Sequence, residues 1–190
     1  VTRRILIVDN YDSFTYNVAQ LVAGITKELP VVLTNDDPGW SEDDLSWFDN
    51  VIVSPGPGRP DRAADLGISR AVVERAKIPL LGICLGYQAM CHLAGGTVGL
   101  APEPRHGLVS TVRHDGSALF EGIPETFEVV RYHSLAVKNL PATLTATAWA
   151  DDGVLMAVED PTRPAYGVQF HPESICTEYG RELMTNFLRA

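Results

Sequence analysis

The sequence predicts an α/β fold: a doubly wound, mostly parallel sheet with helices on both faces and an antiparallel β insertion. Short apolar runs alternate with helix-like stretches through the first half, and each run ends in a polar or glycine-rich loop. The second half changes to short segments of mixed polarity separated by turn signals. Continuous apolar strands separated by helices are the pattern of a parallel sheet covered on both faces, whereas mixed strands joined by turns fit antiparallel pairing. With 190 residues, 45% of them hydrophobic and 21% charged, the chain suits one domain with a sizeable core, spanning 1–190.

The elements follow in order. Ile5 to Val8 is a β-branched run that ends in the polar loop DNYDS. Ser13 or Asp12 can cap a helix through Tyr16, Val18, Leu21 and Val22, with Gly24 near its end. Val31 to Leu33 and Val51 to Val53 are the second and third runs, and the third leads straight into SPGPG. A helix is expected over roughly 63–76, then a fourth strand over Ile78 to Ile83 that runs into CLGYQAMCHLAGG. From Thr97 to about Phe170, the turn signals HDGS, DDG and EDPTRP divide added antiparallel strands. Leu183, Met184, Phe187 and Leu188 give the last segment, 178–188, a helical apolar face.

Charge and cysteine content narrow the function classes. A formal net charge of -9, from 24 acids and 15 bases, argues against nucleic acid or an anionic membrane as partner. No apolar run approaches a membrane span. The opening VTRRILIVDN lacks the long apolar stretch and small-residue cleavage site of a secretory signal, and Asp9 follows the run at once, as at a strand end. Cys84, Cys91 and Cys176 lack the paired spacing of a zinc site or redox dithiol, so reduced thiols in a cytoplasmic protein are expected. No metal or cofactor motif is read.

The most informative stretch is PLLGICLGYQAM. An apolar strand ends at Cys84, a helix begins at once, and Gly82 and Gly86 flank the cysteine two positions to either side. A sharp strand-to-helix turn makes its side chain project from the backbone, the logic of a nucleophile elbow with sulfur in place of oxygen. The helix N-terminus favours thiolate over thiol. The Leu85 N–H can point where an oxyanion would develop. The competing reading is a buried structural thiol, which is assigned to Cys91 and Cys176; glycines and position favour the nucleophile at Cys84.

Of five histidines, His92 and His114 read as structural or solvated, and His106 and His133 stay open. His171 closes the apolar segment YGVQF, where a strand end faces the crevice in which such sheets bind ligands. Glu173 lies two residues on, past Pro172, close enough to hold the imidazole. Alone, HPE is an ordinary turn; with Cys84 it reads as the rest of a triad. Gly56 and Gly58 of SPGPG, stiffened by Pro55 and Pro57, can present N–H groups to an anion, although a rigid strand-end turn explains the loop as well.

Together SPGPG, GICLGYQ, RYHSL and GVQFHPES resemble the class I glutamine amidotransferases, from Asp9 to Leu188. DNYDSFTYN resembles the glutaminase component of chorismate-aminating synthases, meaning anthranilate or aminodeoxychorismate synthase. The resemblance implies a flavodoxin-like fold, with Cys84 as nucleophile, His171 as general base and acid, and Glu173 as its orienter. It implies an oxyanion hole from the N–H groups of Gly56 and Leu85, and a glutamine site from Gly56, Pro57, Gly58, Gln88, Ser134 and Leu135. L-glutamine would be the substrate, and a chorismate-binding synthase subunit or fused domain the partner. RHGL, at Arg105 to Leu108, departs from the MHGK common in the anthranilate branch; its surroundings resemble the aminodeoxychorismate branch. The segment is expected near the partner interface. Two rivals are a free-standing γ-glutamyl or peptide cysteine hydrolase and a non-catalytic regulatory subunit.

Overall fold

Each apolar run of the first half forms a strand. A computed structural model describes residues 3–190. Val1 and Thr2, at the start of the domain read as 1–190, lie outside the described residues. The order along the chain is β1 (Ile5–Asp9), α1 (Thr15–Thr26), β2 (Val31–Thr34), β3 (Asn50–Val53), α2 (Ala63–Leu66), α3 (Ile68–Arg75), β4 (Leu80–Ile83), α4 (Leu85–Leu93), β5 (Thr97–His114), β6 (Thr126–Asn139), β7 (Thr145–Ala150), β8 (Leu155–Asp160), β9 (Ala165–Val168) and α5 (Gly180–Arg189). Among the described residues these strands form one nine-stranded sheet, ordered β2-β1-β3-β4-β9-β8-β7-β5-β6.

β2, β1, β3, β4 and β9 are parallel neighbours, and antiparallel pairing begins between β9 and β8. The expected antiparallel segment to Phe170 therefore ends earlier. β9 pairs with β4 from Leu80↔Ala165 to Ile83↔Val168, which puts it in the parallel half.

The strands bury both faces because their side chains alternate. Ile5, Ile7, Ile52, Leu81 and Ile83 face α1 and α5, meeting Val18, Val22, Leu183, Met184 and Phe187. Leu6, Val8, Val51, Val53 and Leu80 face the opposite layer, with Leu66, Val72, Val73, Leu85 and Ala89. At about 1.5–3 kcal/mol for each large side chain taken from water, these two layers dominate the folding free energy.

Local departures from the expected elements have physical causes. Neither Asp12 nor Ser13 caps α1 with its side chain: Phe14 is the cap residue, and Asp12 Oδ1 accepts the Phe14 N–H at 2.8 Å. α1 runs past Gly24 to Thr26 and is capped by Lys27, in the left-handed region at φ 67°. The helix expected over 63–76 breaks at Gly67, whose φ of 49° and ψ of -127° lie outside helical geometry. A Cβ there would fall 2.1 Å from the Asn35 carbonyl oxygen, so the close approach requires glycine. Cys91 is buried as expected, but Cys176 is exposed, in the turns that lead to α5. No helix among the described residues is long and apolar enough to cross a membrane.

Candidate active site

Gly56, Pro57, Gly58, Cys84, His171 and Glu173 follow the C-terminal ends of β3, β4 and β9, the usual ligand side of such folds, while Gln88 comes from α4 and Ser134 and Leu135 from β6. Cys84 joins β4 directly to α4. Its φ of 52° and ψ of -99° are unusual for a residue with a side chain. Such a conformation costs about 1–3 kcal/mol and persists only where neighbours enforce it. Here the Cys84 N–H donates to Val168 O at 2.8 Å, and its carbonyl accepts the Gln88 N–H at 2.9 Å. The flanking glycines let the turn close. A Cβ on Gly82 would lie 2.6 Å from the Gly86 carbonyl, and one on Gly86 would lie 2.4 Å from Val53 O.

His171 follows β9 after Gln169 and Phe170, so it lies three positions beyond the strand and does not close it. Its N–H donates to Val130 O at 3.3 Å, and its carbonyl accepts the Ser174 N–H at 3.2 Å. α5 packs against this turn: a Cβ on Gly180 would lie 2.0 Å from Pro172 O. Nδ1 of His171 meets Glu173 Oε1 at 2.6 Å, and both side chains are almost fully buried. Burial lowers the imidazole's pKa, but Cys84 and Glu173 outweigh it and hold His171 well above the ordinary histidine value. Nε2 has no hydrogen bond of ordinary geometry among the described residues, although Cys84 lies near enough to raise the imidazole's pKa. Phe14 and Tyr132 make T-shaped contacts with the imidazole, with centroids 6.0 and 5.2 Å away, which confine its orientation.

The SPGPG loop is held by buried polar groups. Asn10 donates its N–H to Ser54 Oγ at 2.8 Å and its side-chain amide to Ser54 O at 2.8 Å. Its Oδ1 accepts from Asn35 at 3.0 Å and from Ser69 at 2.7 Å. Gly56 packs on this residue and on Leu85: a Cβ there would lie 2.7 Å from Asn10 Cβ and 2.8 Å from Leu85 Cδ2. Gly56 and Leu85 are thus neighbours across the mouth of the elbow. Among the described residues neither N–H has a protein acceptor.

A cavity of about 200 Å³ opens over the cysteine, lined by Gly56, Pro57, Gly58, Cys84, Gln88, His106, Tyr132, His133, Ser134 and Leu135. Apart from the triad partners and Leu85, this lining contains every residue expected to hold the substrate. Gln88 donates to Leu135 O at 3.3 Å and to Gln169 Oε1 at 3.0 Å, and Gln169 Nε2 reaches Cys84 Sγ at 3.5 Å. From sequence alone Gln169 has no assigned role; a polar residue inside the apolar run YGVQF is the available signal. Asp12, read from the sequence as a candidate helix cap, also lies near the triad. Burial raises its carboxyl pKa, with the Phe14 N–H opposing, and it lies near enough to His171 and Glu173 to feel both charges.

The other histidines divide clearly. His92 is half-buried on α4. His114 is buried, stacked on Phe120 at 4.6 Å and bonded to the Ile123 and Pro124 carbonyls. Both lie outside the cavity lining, whereas His106 and His133 line it.

A sequence profile of the glutamine amidotransferase class-I family matches residues 6–190. The chain belongs to the class-I glutamine amidotransferases. Aminodeoxychorismate synthase of Streptomyces griseus is 56% identical to this amidotransferase over 184 residues, 97% of the chain and 25% of that protein. The chain thus spans about a quarter of the length of the aminodeoxychorismate synthases it matches. Anthranilate synthase component 2 of Methanothermobacter marburgensis is 43% identical over 201 residues, covering all of both chains. Among solved structures, a protein described as a GMP synthase component from Thermoplasma acidophilum superposes with a TM-score of 0.90 at 27% identity, covering all of this amidotransferase and 94% of that chain.

Proposed function

We propose that this amidotransferase domain hydrolyses L-glutamine and delivers the ammonia to a chorismate-aminating synthase, carried on a separate subunit or on the rest of a longer chain. The observation that carries the reading is the Cys84 elbow beside a His171 imidazole bonded to buried Glu173, at the mouth of a cavity that fits an amino acid. That cavity, about 200 Å³, is smaller than the ~300–1,000 Å³ of sites for larger ligands.

In the mechanism, the Cys84 sulfur attacks the side-chain amide carbon of glutamine. The N–H groups of Gly56 and Leu85 receive the oxyanion, a contribution of about 3 kcal/mol per well-placed donor. Protonated His171 gives its proton to the departing nitrogen as the carbon–nitrogen bond breaks, so ammonia leaves and a glutamyl thioester remains. His171, now neutral, takes a proton from water, which attacks the thioester and releases glutamate and the thiol. Glu173 steadies the imidazole and its charged form throughout. Gly58, Gln88, Ser134 and Leu135 hold the substrate.

Ammonia must reach the synthase before solvent protonates it, so the partner docks over this cavity. The RHGL segment suits that contact: Gly107 has a φ of 74° at a bulge in β5, and Leu108 and Val109 are exposed beside it. The aminodeoxychorismate branch is favoured by the 56% and 54% identities to Streptomyces aminodeoxychorismate synthases. Anthranilate is the second reading, supported by a relative that the chain matches end to end. Three free cysteines among the described residues suit a reducing cytoplasm.

The test is Cys84→Ala, assayed with the synthase portion. Glutamine-dependent amination should vanish while amination from added ammonia persists. Retained glutamine hydrolysis would overturn the assignment. Full glutamine turnover with no gain from the synthase would favour a free-standing hydrolase.

A further inference from the structure

Arg131 is fully buried, in a wall where an apolar residue would pack with no desolvation cost. Its Nε donates to His133 Nε2 at 3.0 Å, and its Nη1 donates to Asp152 Oδ2 at 2.7 Å and Ser110 Oγ at 3.4 Å. Because Arg131 can only donate, His133 Nε2 must accept, and the ring proton sits on Nδ1. Nδ1–H then donates to Leu135 O at 2.8 Å. The same carbonyl accepts Gln88 Nε2, and Gln88 leads through Gln169 to the Cys84 sulfur. Burial, helped by the Arg131 charge, holds the His133 pKa down at about 4, so the ring stays neutral at physiological pH.

The mechanism uses none of Arg131, His133 and Asp152. They form one chain from a half-buried carboxylate to the carbonyl that helps shape the cavity. The other end of the chain is tied to the β5 arm. Arg105 pairs with His133 in the β5–β6 register, and its guanidinium lies 3.8 Å from the same Asp152 carboxylate.

We propose that Arg131 is a positioning residue for the glutamine pocket, acting through His133 on the Leu135 carbonyl and the Gln88 amide. The proposal rests on the reading of this cavity as the glutamine site. It predicts an effect on substrate binding, with little effect on the reactivity of bound substrate.

The test uses the full chain. Glutamine KM and kcat are measured together with the concentration dependence of Cys84 labelling by a diazoketone analogue of glutamine. Arg131→Lys keeps a charge for Asp152 but loses the Nε donor to His133. KM and the half-saturating analogue concentration should both rise about tenfold, the loss expected when one buried hydrogen bond is broken. kcat, and the rate of alkylation by small iodoacetamide, should stay within about threefold. If Arg131→Lys does not fold, His133→Phe decides, since it removes the donor to Leu135 O and keeps the ring; the same split is expected. An unchanged KM in either folded variant, or a fall in kcat at constant KM, would overturn the proposal. Failure of the wild-type chain to be labelled, or of glutamine to protect it, would instead overturn the site reading itself.

Discussion

Gly56→Ala tests how the oxyanion site is built. The new Cβ would sit 2.7 Å from Asn10 Cβ, 2.8 Å from Asn10 O and 2.8 Å from Leu85 Cδ2. Relaxed carbon contacts need about 3.5–4.0 Å, so something must move by about 1 Å. Asn10 resists, because four hydrogen bonds fix it to Ser54, Asn35 and Ser69. Leu85 meets the new Cβ only through Cδ2, at the tip of its side chain, but that side chain is buried in the core and has little room to turn away. The SPGPG loop is left to shift, and it carries the Gly56 N–H with it. A donor misplaced by about 1 Å, or lost, costs about 100-fold or more in rate. The overpacking itself should destabilise by about 1–3 kcal/mol. Steady-state glutamine hydrolysis should therefore show kcat reduced about 100-fold, with a smaller change in KM, in a protein that still melts cooperatively. A folded variant within about threefold of wild-type kcat would refute the placement of the oxyanion donor at Gly56.

Further outcomes follow from the same geometry. Glu173→Gln removes a carboxylate that opposes the burial penalty on His171. The His171 pKa should fall in an NMR titration, and kcat should drop by about 10²–10⁴. Because that pKa is raised in the folded protein, its stabilising effect is full below about pH 6.5, is lost as pH rises through the folded value, and should shrink in the variant. His133 behaves oppositely: its pKa of about 4 against an ordinary 6.5 makes stability complete above 6.5 and lost as pH falls toward 4. That difference is worth about 3 kcal/mol, so denaturation curves of wild type and His133→Gln should converge by that amount between pH 7 and pH 4; parallel pH dependences would contradict it. Gly24→Ala, inside α1, meets only Arg181 Nη1 at 3.4 Å and should raise stability by up to about 1 kcal/mol with unchanged kinetics, as read by chemical denaturation.

The parallel half is legible in the sequence because its strands are buried on both faces, so Ile5–Val8 and Val51–Val53 read as unbroken apolar runs. The elbow is legible because its requirements are local: an apolar strand, a cysteine, and glycines where backbones meet. The membership of β9 in the parallel half is not, since it depends on pairing with β4 across the whole insertion. Nor does the helix break at Gly67 show, because glycine is tolerated in helices and the deciding contact is with Asn35, distant in sequence. The usual burial of cysteine misleads at Cys176, which is exposed in the turns before α5. Gln169 and Arg131 gain their meaning only from partners: Gln169 from Cys84 and Gln88, and Arg131 from an aspartate on a hairpin turn.

Rapid quenching of the chain during glutamine turnover, followed by peptide mass spectrometry, would test the covalent step directly. The mechanism predicts a glutamyl group attached to Cys84 through its sulfur, accumulating when water attack is slowed. Continued hydrolysis with Cys84 unmodified, or with the acyl group on another side chain, would contradict it.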